Sequence, residues 1–186
     1  MTGLWNYKDG KVVPYGDDTT YAAGMKFLDG HGTVEDWGCG ATYAKKFVDL
    51  SPYRGIDGTP SPHTAQVVDL RGYRSNADCI FMRHILEHNH DWRQIMENAL
   101  ASFQNRMTLI IFTPFIDETK QIHTNWSAIP DIAFKKSDLT DYFKKFKWSE
   151  QTFQTVSQYK TETIFFLERS GLGGKSPDDV GSPVQQ

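Results

Sequence analysis

Short apolar runs recur along the middle of the chain, separated by turns rich in glycine, proline and aspartate. A continuous apolar run is typical of a strand that is covered on both faces, as in a parallel sheet. We therefore predict strands at residues 34–37, 53–57, 67–70, 78–82 and 107–113.

Between these runs, apolar residues at a spacing of three to four predict helices. Polar residues that can accept hydrogen bonds from a first helical turn stand before several of them. The predicted helices span residues 19–29, residues 43–48 behind a Thr42 cap, a segment capped by Asn89 or Asp91 that runs to residue 103, and a segment capped by Ser137.

The two ends of the chain and one inner stretch lack this pattern. Residues 1–18 look irregular, and we expect their aromatic side chains to pack on the sheet edge rather than to cover a pocket. Residues 114–136 predict a long loop of functional use. Residues 148–159 and 161–168 predict an antiparallel hairpin. The composition of residues 170–186 is typical of a disordered tail, which leaves one domain at residues 19–169.

The spacing of the predicted strands constrains their connections. Eight residues separate Asp57 from Gln66, and residues 71–77 join the third strand to the fourth. Parallel strands normally need a crossover of a dozen or more residues. Either the crossover helices are reduced to turns or the third strand is degenerate.

Composition limits the function classes. The chain has 186 residues, 20 basic and 23 acidic side chains and a net charge of −3, so no basic field attracts nucleic acid or a membrane surface. Two cysteines, without a spacing typical of a disulfide framework, indicate a reducing compartment. The first residues lack the pattern of a signal peptide, and we expect a cytoplasmic protein.

The candidate chemistry begins where the first strand ends. Gly38 and Gly40 allow a tight turn and a close approach of the backbone to a ligand. Asp57 ends the next strand, about 20 residues downstream, which is the separation at which a carboxylate accepts ribose hydroxyls in dinucleotide folds. A glycine pair alone is a weak signal, and its combination with the acid is stronger.

The ordered set of motifs resembles the class I S-adenosylmethionine (SAM)-dependent methyltransferases over residues 19–168. Asp36-Trp37-Gly38-Cys39-Gly40 matches the acid-x-G-x-G motif, Asp57 and Asp69 match the acids that end the second and third strands, and Leu86-Glu87-His88 matches a motif after the fourth strand. The resemblance implies an α/β fold of three layers, Rossmann-like, with a mostly parallel twisted sheet and a C-terminal antiparallel hairpin. It also implies SAM as cofactor, bound by Asp36, Gly38, Cys39, Gly40, Asp57, Gly58, Asp69 and Leu70.

Other residues are candidates for the acceptor side of the reaction. His84 follows the fourth strand and is the candidate general base, with a structural histidine as the alternative. Asp117, His123 and Trp126 on the long loop are candidates for acceptor recognition. We expect a small-molecule acceptor, with a sugar or other hydroxyl compound as a loose preference. We expect no nucleic-acid or membrane partner and assign no metal ligands; the metal requirement and the oligomeric state stay open.

Two other functions remain possible on the sequence. His84-Ile85-Leu86-Glu87-His88 fits a zinc-hydrolase pattern, which requires the pentad to be helical and a third ligand to lie nearby. A noncatalytic domain that binds a nucleoside ligand or a partner protein is the other alternative. Bound zinc would identify the first, and turnover of the cofactor would exclude the second.

Overall fold

A computed structural model describes residues 7, 9–12, 15–125 and 128–169, and the predicted tail at residues 170–186 lies outside this part of the chain. Seven of the strands in the described residues form one twisted sheet in the order β3-β2-β1-β4-β5-β9-β8, and β6 and β7 pair separately. The strands are β1 (Val34–Trp37), β2 (Tyr53–Asp57), β3 (Gln66–Val67), β4 (Cys79–Arg83), β5 (Arg106–Ile111), β6 (Lys120–Thr124), β7 (Pro130–Ala133), β8 (Lys147–Gln154) and β9 (Thr161–Glu168).

The register of the sheet follows the apolar pattern of the sequence. Strand β1 pairs in parallel with β2 on one side and with β4 on the other, and β4 pairs in parallel with β5. Strand β9 then runs antiparallel to β5, and β8 runs antiparallel to β9. All residues of β1 and β4 are buried, as expected for strands covered on both faces. The predicted mostly parallel sheet and the C-terminal hairpin are confirmed.

Helices cover both faces of the sheet and complete three layers. On one face, α1 (Thr19–Leu28) buries Met25 and Leu28 against Phe81 and Ile110. On the other, α2 (Trp92–Ser102) and α3 (Lys136–Thr140) pack over the larger apolar core. The predicted inward stripe of the third helix is buried: Trp92, Ile95, Met96, Ala99, Leu100 and Phe103.

The connections between β2, β3 and β4 are turns. Strand β3 has two residues and pairs with Ile56 and Asp57 of β2. Residues 58–65 and 68–78 contain no helix. Both alternatives that the short spacing left open are therefore realised, because the crossovers are turns and the third strand is minimal.

Several predicted boundaries were wrong. The hairpin turn spans residues 155–160, where Thr155 N–H donates to the Lys160 carbonyl, so β8 ends five residues before the predicted Tyr159. Helix α3 begins at Lys136 and contains Ser137, so Ser137 does not cap it. The predicted loop at residues 114–136 contains the β6–β7 hairpin, whose exposed first strand has no apolar alternation in the sequence.

No helix in the described ranges combines the length and the apolar character needed to cross a membrane.

Candidate active site

A cavity of about 340 Å³ opens at the carboxyl ends of β1, β2 and β4. Strand β1 lies between β2 and β4 in the sheet, so the chain reverses its direction of winding here, which is where open α/β folds bind ligands. All eight predicted cofactor residues and His84 line this cavity. It is also lined by residues that the sequence did not single out for the site, among them Tyr7, Tyr15, Tyr21, Arg83 and Ile129.

The glycine turn after β1 requires its glycines for two reasons. Gly38 and Gly40 have positive φ angles of 80° and 49°. A Cβ on Gly38 would lie 1.9 Å from Ile85 Cδ1, and one on Gly40 would lie 2.9 Å from the Tyr7 hydroxyl. No other residue type fits both constraints at Gly38 without a local rearrangement.

The turn differs from the prediction in its helix and in the cap of that helix. Thr42 has a φ of 58° and makes no side-chain capping bond, and the helix behind it is a short 3₁₀ helix, Tyr43–Phe47. The N–H groups of Gly38 and Cys39 donate to the Ile56 carbonyl. The turn therefore offers closeness of approach to a ligand, and these two N–H groups are already bonded within the sheet.

Asp57 joins the turn to the end of β2. Its two carboxylate oxygens accept from the N–H of Gly40 at 2.8 Å and from the N–H of Thr59 at 2.7 Å. Burial raises the pKa of Asp57, and the backbone donors at Gly40 and Thr59 oppose that rise. The side chain is thus fixed beside the glycine turn, with lone pairs left for a further donor.

Asp36 lies deeper, in β1, and is almost completely buried. Its Oδ2 accepts from the Tyr53 hydroxyl at 2.5 Å. Burial, with a smaller contribution from the nearby Asp57, raises the pKa of Asp36 to about 7, against the opposing effect of the Tyr53 hydrogen bond. Asp36 and Asp57 thus present two acids of unequal acidity to one cavity.

Asp69 is exposed at the rim and is paired with Arg71. Arg71 Nε lies 3.0 Å from both carboxylate oxygens, and its Nη1 reaches Asp91 at 3.3 Å. The hydrogen bond from Arg71 lowers the pKa of Asp69 to about 2, so Asp69 is ionised at any working pH. Leu70 follows it along the same wall of the cavity.

His84 follows β4 and has a left-handed backbone conformation, which residues other than glycine rarely adopt. Its φ is 57°, and its ring packs against Phe112 with the centroids 4.6 Å apart. Nε2 is buried and lies 3.2 Å from Glu162 Oε2, without the alignment of a regular hydrogen bond. Burial, reinforced by the charge of Arg83, lowers the pKa of His84 to about 4. The ring is therefore neutral at neutral pH.

Glu162 in β9 is the centre of a buried cluster that the sequence did not predict. Arg83 Nη2 lies 3.0 Å from each of its carboxylate oxygens, and the Thr20 hydroxyl donates to Oε2 at 2.5 Å. Burial raises the pKa of Glu162, but His84, Arg83 and Thr20 outweigh it and the net shift is downward. Glu162 is therefore an anion inside the protein. In the sequence, the one feature that pointed to Glu162 was a single glutamate at the start of a largely apolar predicted strand.

A second histidine lies beside the cavity. His88 Nδ1 lies 3.0 Å from the Pro130 carbonyl and 3.4 Å from Asp131 Oδ1, and Tyr159 donates to Asp131 at 3.1 Å. Burial lowers the pKa of His88, but the Asp131 carboxylate and other acceptors outweigh this effect, so the net shift is upward. Hairpin β6–β7 thus holds His88, which lines the cavity, through Asp131.

The two predicted acceptor residues that the structure describes lie away from the cavity. Asp117 and His123 are exposed and do not line the cavity, and Trp126 falls outside the described residues. Ile129, from the same stretch of chain, does line it. Tyr7 and Tyr15 contact each other through their hydroxyls at 3.2 Å and line the cavity, so the expected packing on the sheet edge was wrong for these two.

The zinc-hydrolase alternative does not have the geometry that it requires. The backbone of His84 is left-handed, and Leu86–His88 forms a single 3₁₀ turn. Residues 84–88 therefore do not form one helix. Within the described ranges, no group of three or more His, Cys, Asp or Glu side chains is arranged to hold a metal ion.

The fold and the position of the cavity define the class I methyltransferase fold. Solved structures with this fold match the chain closely in shape and distantly in sequence. 1,6-Didemethyltoxoflavin-N1-methyltransferase of Burkholderia thailandensis, with S-adenosylhomocysteine (SAH) bound, is 13% identical at a TM-score of 0.63, over 82% of this chain and 77% of that one. An N-methyltransferase of Bradyrhizobium japonicum WM9 in complex with SAH is 12% identical at a TM-score of 0.55, over 75% and 79%.

Magnesium protoporphyrin IX methyltransferase of Synechocystis PCC 6803, with SAH bound, is 16% identical at a TM-score of 0.52, over 74% of each chain. No protein-family model and no curated protein matches the chain by sequence. The matches to solved structures confirm the predicted fold class.

Proposed function

We propose that this protein is a SAM-dependent methyltransferase that acts on a small-molecule acceptor, with a sugar or other hydroxyl compound as the preferred type. The observation that carries the proposal is the convergence of the glycine turn, Asp57 and His84 on one cavity at the point where the sheet reverses its winding. Proteins of the same fold that hold SAH, and whose names specify small-molecule substrates, support it.

The residues around the cavity fit this cofactor. The volume of about 340 Å³ falls within the range of small-molecule sites. Gly38 and Gly40 have no side chains to block a ligand. Asp57 is held beside them by hydrogen bonds from two backbone N–H groups. We assign the amino acid end of the cofactor to the region of Asp36, Gly38, Cys39 and Gly40. We assign the ribose hydroxyls to Asp57 and the adjoining Gly58.

The adenine end is assigned to Asp69 and Leu70. Leu70 provides an apolar surface for the base, and Asp69 carries a carboxylate that can accept from an exocyclic amine. Arg71 holds Asp69 in place and keeps it ionised. The trimmed connections around β3 leave this wall built from turns rather than from a crossover helix.

When bound, SAM supplies an electrophilic methyl group on a sulfonium. The protein's part in the reaction is to position the acceptor atom and to receive its proton. His84 is neutral, lines the cavity and is held by Phe112 and Glu162, so we assign it as the general base. Asp117, His123 and Trp126 stay predicted acceptor contacts.

Calorimetric titration of the purified chain with SAH tests the proposal. We expect about one SAH bound per chain, and no heat of binding with NAD at the same concentration. A matched titration of Asp141→Ala, an exposed acid paired with Lys144, should leave the affinity unchanged. Binding of NAD in place of SAH would contradict the assignment. SAH binding without turnover of SAM on any hydroxyl or amine acceptor would instead favour the noncatalytic alternative.

A further inference from the structure

The buried cluster around Glu162 fixes the direction in which hydrogen bonds can run. Arg83 is a donor at every nitrogen, and an ionised carboxylate is only an acceptor. Arg83 Nη2 and the Thr20 hydroxyl contact the two oxygens of Glu162 within hydrogen-bond distance. An ion pair buried this deeply, with both side chains less than a tenth exposed, keeps the glutamate ionised. Whatever else approaches Glu162 must therefore approach it with a hydrogen atom.

His84 approaches it with Nε2, at 3.2 Å from Oε2. A neutral imidazole carries one hydrogen and one lone pair on its two nitrogens. If the hydrogen were on Nδ1, the Nε2 lone pair would face a buried carboxylate, and two acceptors would repel each other. The hydrogen therefore belongs on Nε2, which leaves the lone pair on Nδ1, and the His84 ring itself lines the cavity.

We infer that Glu162 is a positioning residue that holds His84 in the tautomer with hydrogen on Nε2, and that the acceptor is consequently a compound with a transferable proton, a hydroxyl or an N–H group. The inference rests on the proposed methyl transfer. It separates such acceptors from tertiary amines, thioethers and carboxylates, which have no proton to give at the reacting atom and make no use of a lone pair on Nδ1.

The step balances with the groups named. The acceptor oxygen or nitrogen forms its bond to the methyl carbon as the carbon–sulfur bond breaks and leaves its electron pair on sulfur. The acceptor's proton passes to His84 Nδ1, and the imidazolium that results has its Nε2 at 3.2 Å from Glu162 Oε2. Glu162 is neutralised in part by Arg83 before the reaction, and its negative charge stabilises the cation that forms during it.

The backbone at His84 supports a functional position for this ring. A φ of 57° is unfavourable for a residue with a side chain, and such conformations persist where the surrounding contacts determine them. The N–H of His84 donates to the Ile110 carbonyl at 3.1 Å, and the ring is held between Phe112 and Glu162. These contacts fix which ring edge faces the carboxylate.

His88 provides an internal contrast. Its Nδ1 lies 3.0 Å from the Pro130 carbonyl, which cannot donate, so its hydrogen belongs on Nδ1. His84 and His88 are therefore held in opposite tautomers when both rings are neutral. A tautomer measurement can tell them apart within a single spectrum.

The test is a long-range ¹H–¹⁵N NMR spectrum of the protein with labelled histidine. The His84 signals are assigned as those missing in His84→Gln. We expect the wild-type spectrum at neutral pH to show hydrogen on Nε2 of His84. In Glu162→Gln the side chain loses the negative charge that favours hydrogen on Nε2, so the fraction of His84 with hydrogen on Nδ1 should rise. In Glu162→Asp, which keeps the charge, the tautomer should stay as in wild type.

Glu168→Gln is the matched control, because it is the same substitution in the same strand and breaks the ion pair with Arg106 at 3.3 Å. It should leave the His84 tautomer unchanged. Hydrogen on Nδ1 of wild-type His84, or a tautomer that Glu162→Gln does not alter, would overturn the inference. SAH calorimetry on the same samples separates the two proposals, because wild-type protein that shows the expected tautomer and binds no SAH contradicts the proposed function alone.

Discussion

At the scale of single residues, the site is built from acids and a histidine whose ionisation the protein has changed in different directions. Burial raises the pKa of Asp36 to about 7 and lowers that of His84 to about 4. Arg71 lowers the pKa of the rim acid Asp69 to about 2. Asp36 and Asp69 have similar pKa values in free peptides, but within this one cavity their pKa values lie far apart, a pattern typical of functional sites.

Asp57→Ala should affect both the cofactor and the fold. Loss of a charge-assisted hydrogen bond to the ribose should weaken SAH binding by about 10- to 150-fold. The N–H groups of Gly40 and Thr59 lose their acceptor, which should cost about 1–3 kcal/mol of unfolding free energy. Calorimetry and urea denaturation measure the two effects. Asp57→Asn keeps an acceptor oxygen, so its loss of stability should be smaller; equal SAH affinity in wild type and both variants would exclude the ribose role.

His84 should make the stability of the protein depend on pH with a defined sign. The unfolded chain protonates this ring near its ordinary pKa of 6.5, and the folded chain near 4. Between these values the unfolded state binds more protons, so the contribution of His84 is complete above pH 6.5 and is lost as the pH falls toward 4. The shift corresponds to a loss on the order of 3 kcal/mol.

Urea denaturation of wild type and His84→Gln at about pH 7.5 and pH 4.5 isolates this effect. Asp36 and Glu87, whose buried carboxyls have pKa values raised to about 7, act with the opposite sign in both proteins and cancel in the difference. The stability advantage of wild type over the variant should shrink at the lower pH. An advantage that is independent of pH would mean that His84 titrates as it does in a free peptide.

At the scale of elements, the clearest feature is the contact between α1 and the sheet. Gly24 faces β4 and β5, and a Cβ there would lie 2.8 Å from Phe81 Cε2 and 3.0 Å from Thr108 Cγ2. Thr108 also donates to the Gly24 carbonyl at 3.2 Å. The glycine therefore sets how closely the helix approaches the strands that end at the site.

Gly24→Ala should destabilise the protein even though alanine is the better helix former. The propensity gain is about 1 kcal/mol, and overpacking against Phe81 and Thr108 costs about 1–3 kcal/mol. We expect a net loss of roughly 1 kcal/mol, measured by thermal denaturation. Lys26→Ala, on the exposed side of the same helix, should change little. A higher melting temperature for Gly24→Ala would show that the helix moves away from the sheet at no cost.

At the scale of the whole molecule, we expect cofactor binding to raise the stability of the fold. SAH at about 100 times its dissociation constant should add about 2.7 kcal/mol. For a chain of 186 residues, that corresponds to a rise in melting temperature of roughly 5–11 °C. A thermal shift assay with SAH, and with NAD as the control, measures it. A rise with NAD and none with SAH would point to another nucleotide ligand.

The sequence predicts the frame of this molecule better than its site. Apolar runs determine β1, β2, β4 and β5, because buried strands need continuous apolar residues. The periodicity of α2 predicts its buried face. Strand β6 is exposed along its whole length and has no pattern to detect. The predicted end of β8 was wrong because the turn at residues 155–160, which includes the left-handed Lys160, contains no glycine or proline.

The predicted site residues that line the cavity are those that lie at or directly after the ends of the parallel strands. Gly38, Asp57 and His84 lie at the same edge of the sheet, because parallel strands end there together. Glu162 is 78 residues from His84 in the chain and meets it through the pairing of β5 with β9. Tyr7 reaches Gly40 from the irregular N-terminal segment. Contacts of this range follow from tertiary packing and leave no local pattern.

The minimal strand β3 and its two turn connections have a dynamic consequence. The wall that carries Asp69 and Leu70 is joined to β2 by a few bonds, such as Val68 N–H to the Asp57 carbonyl at 2.8 Å, and no crossover helix covers residues 58–65 or 68–78. Such a segment opens locally at a fraction of the global unfolding free energy. Its amide protons should exchange with deuterium ahead of those in β1 and β4, and SAH should slow that exchange, because the ligand completes the wall that the shortened chain leaves thin.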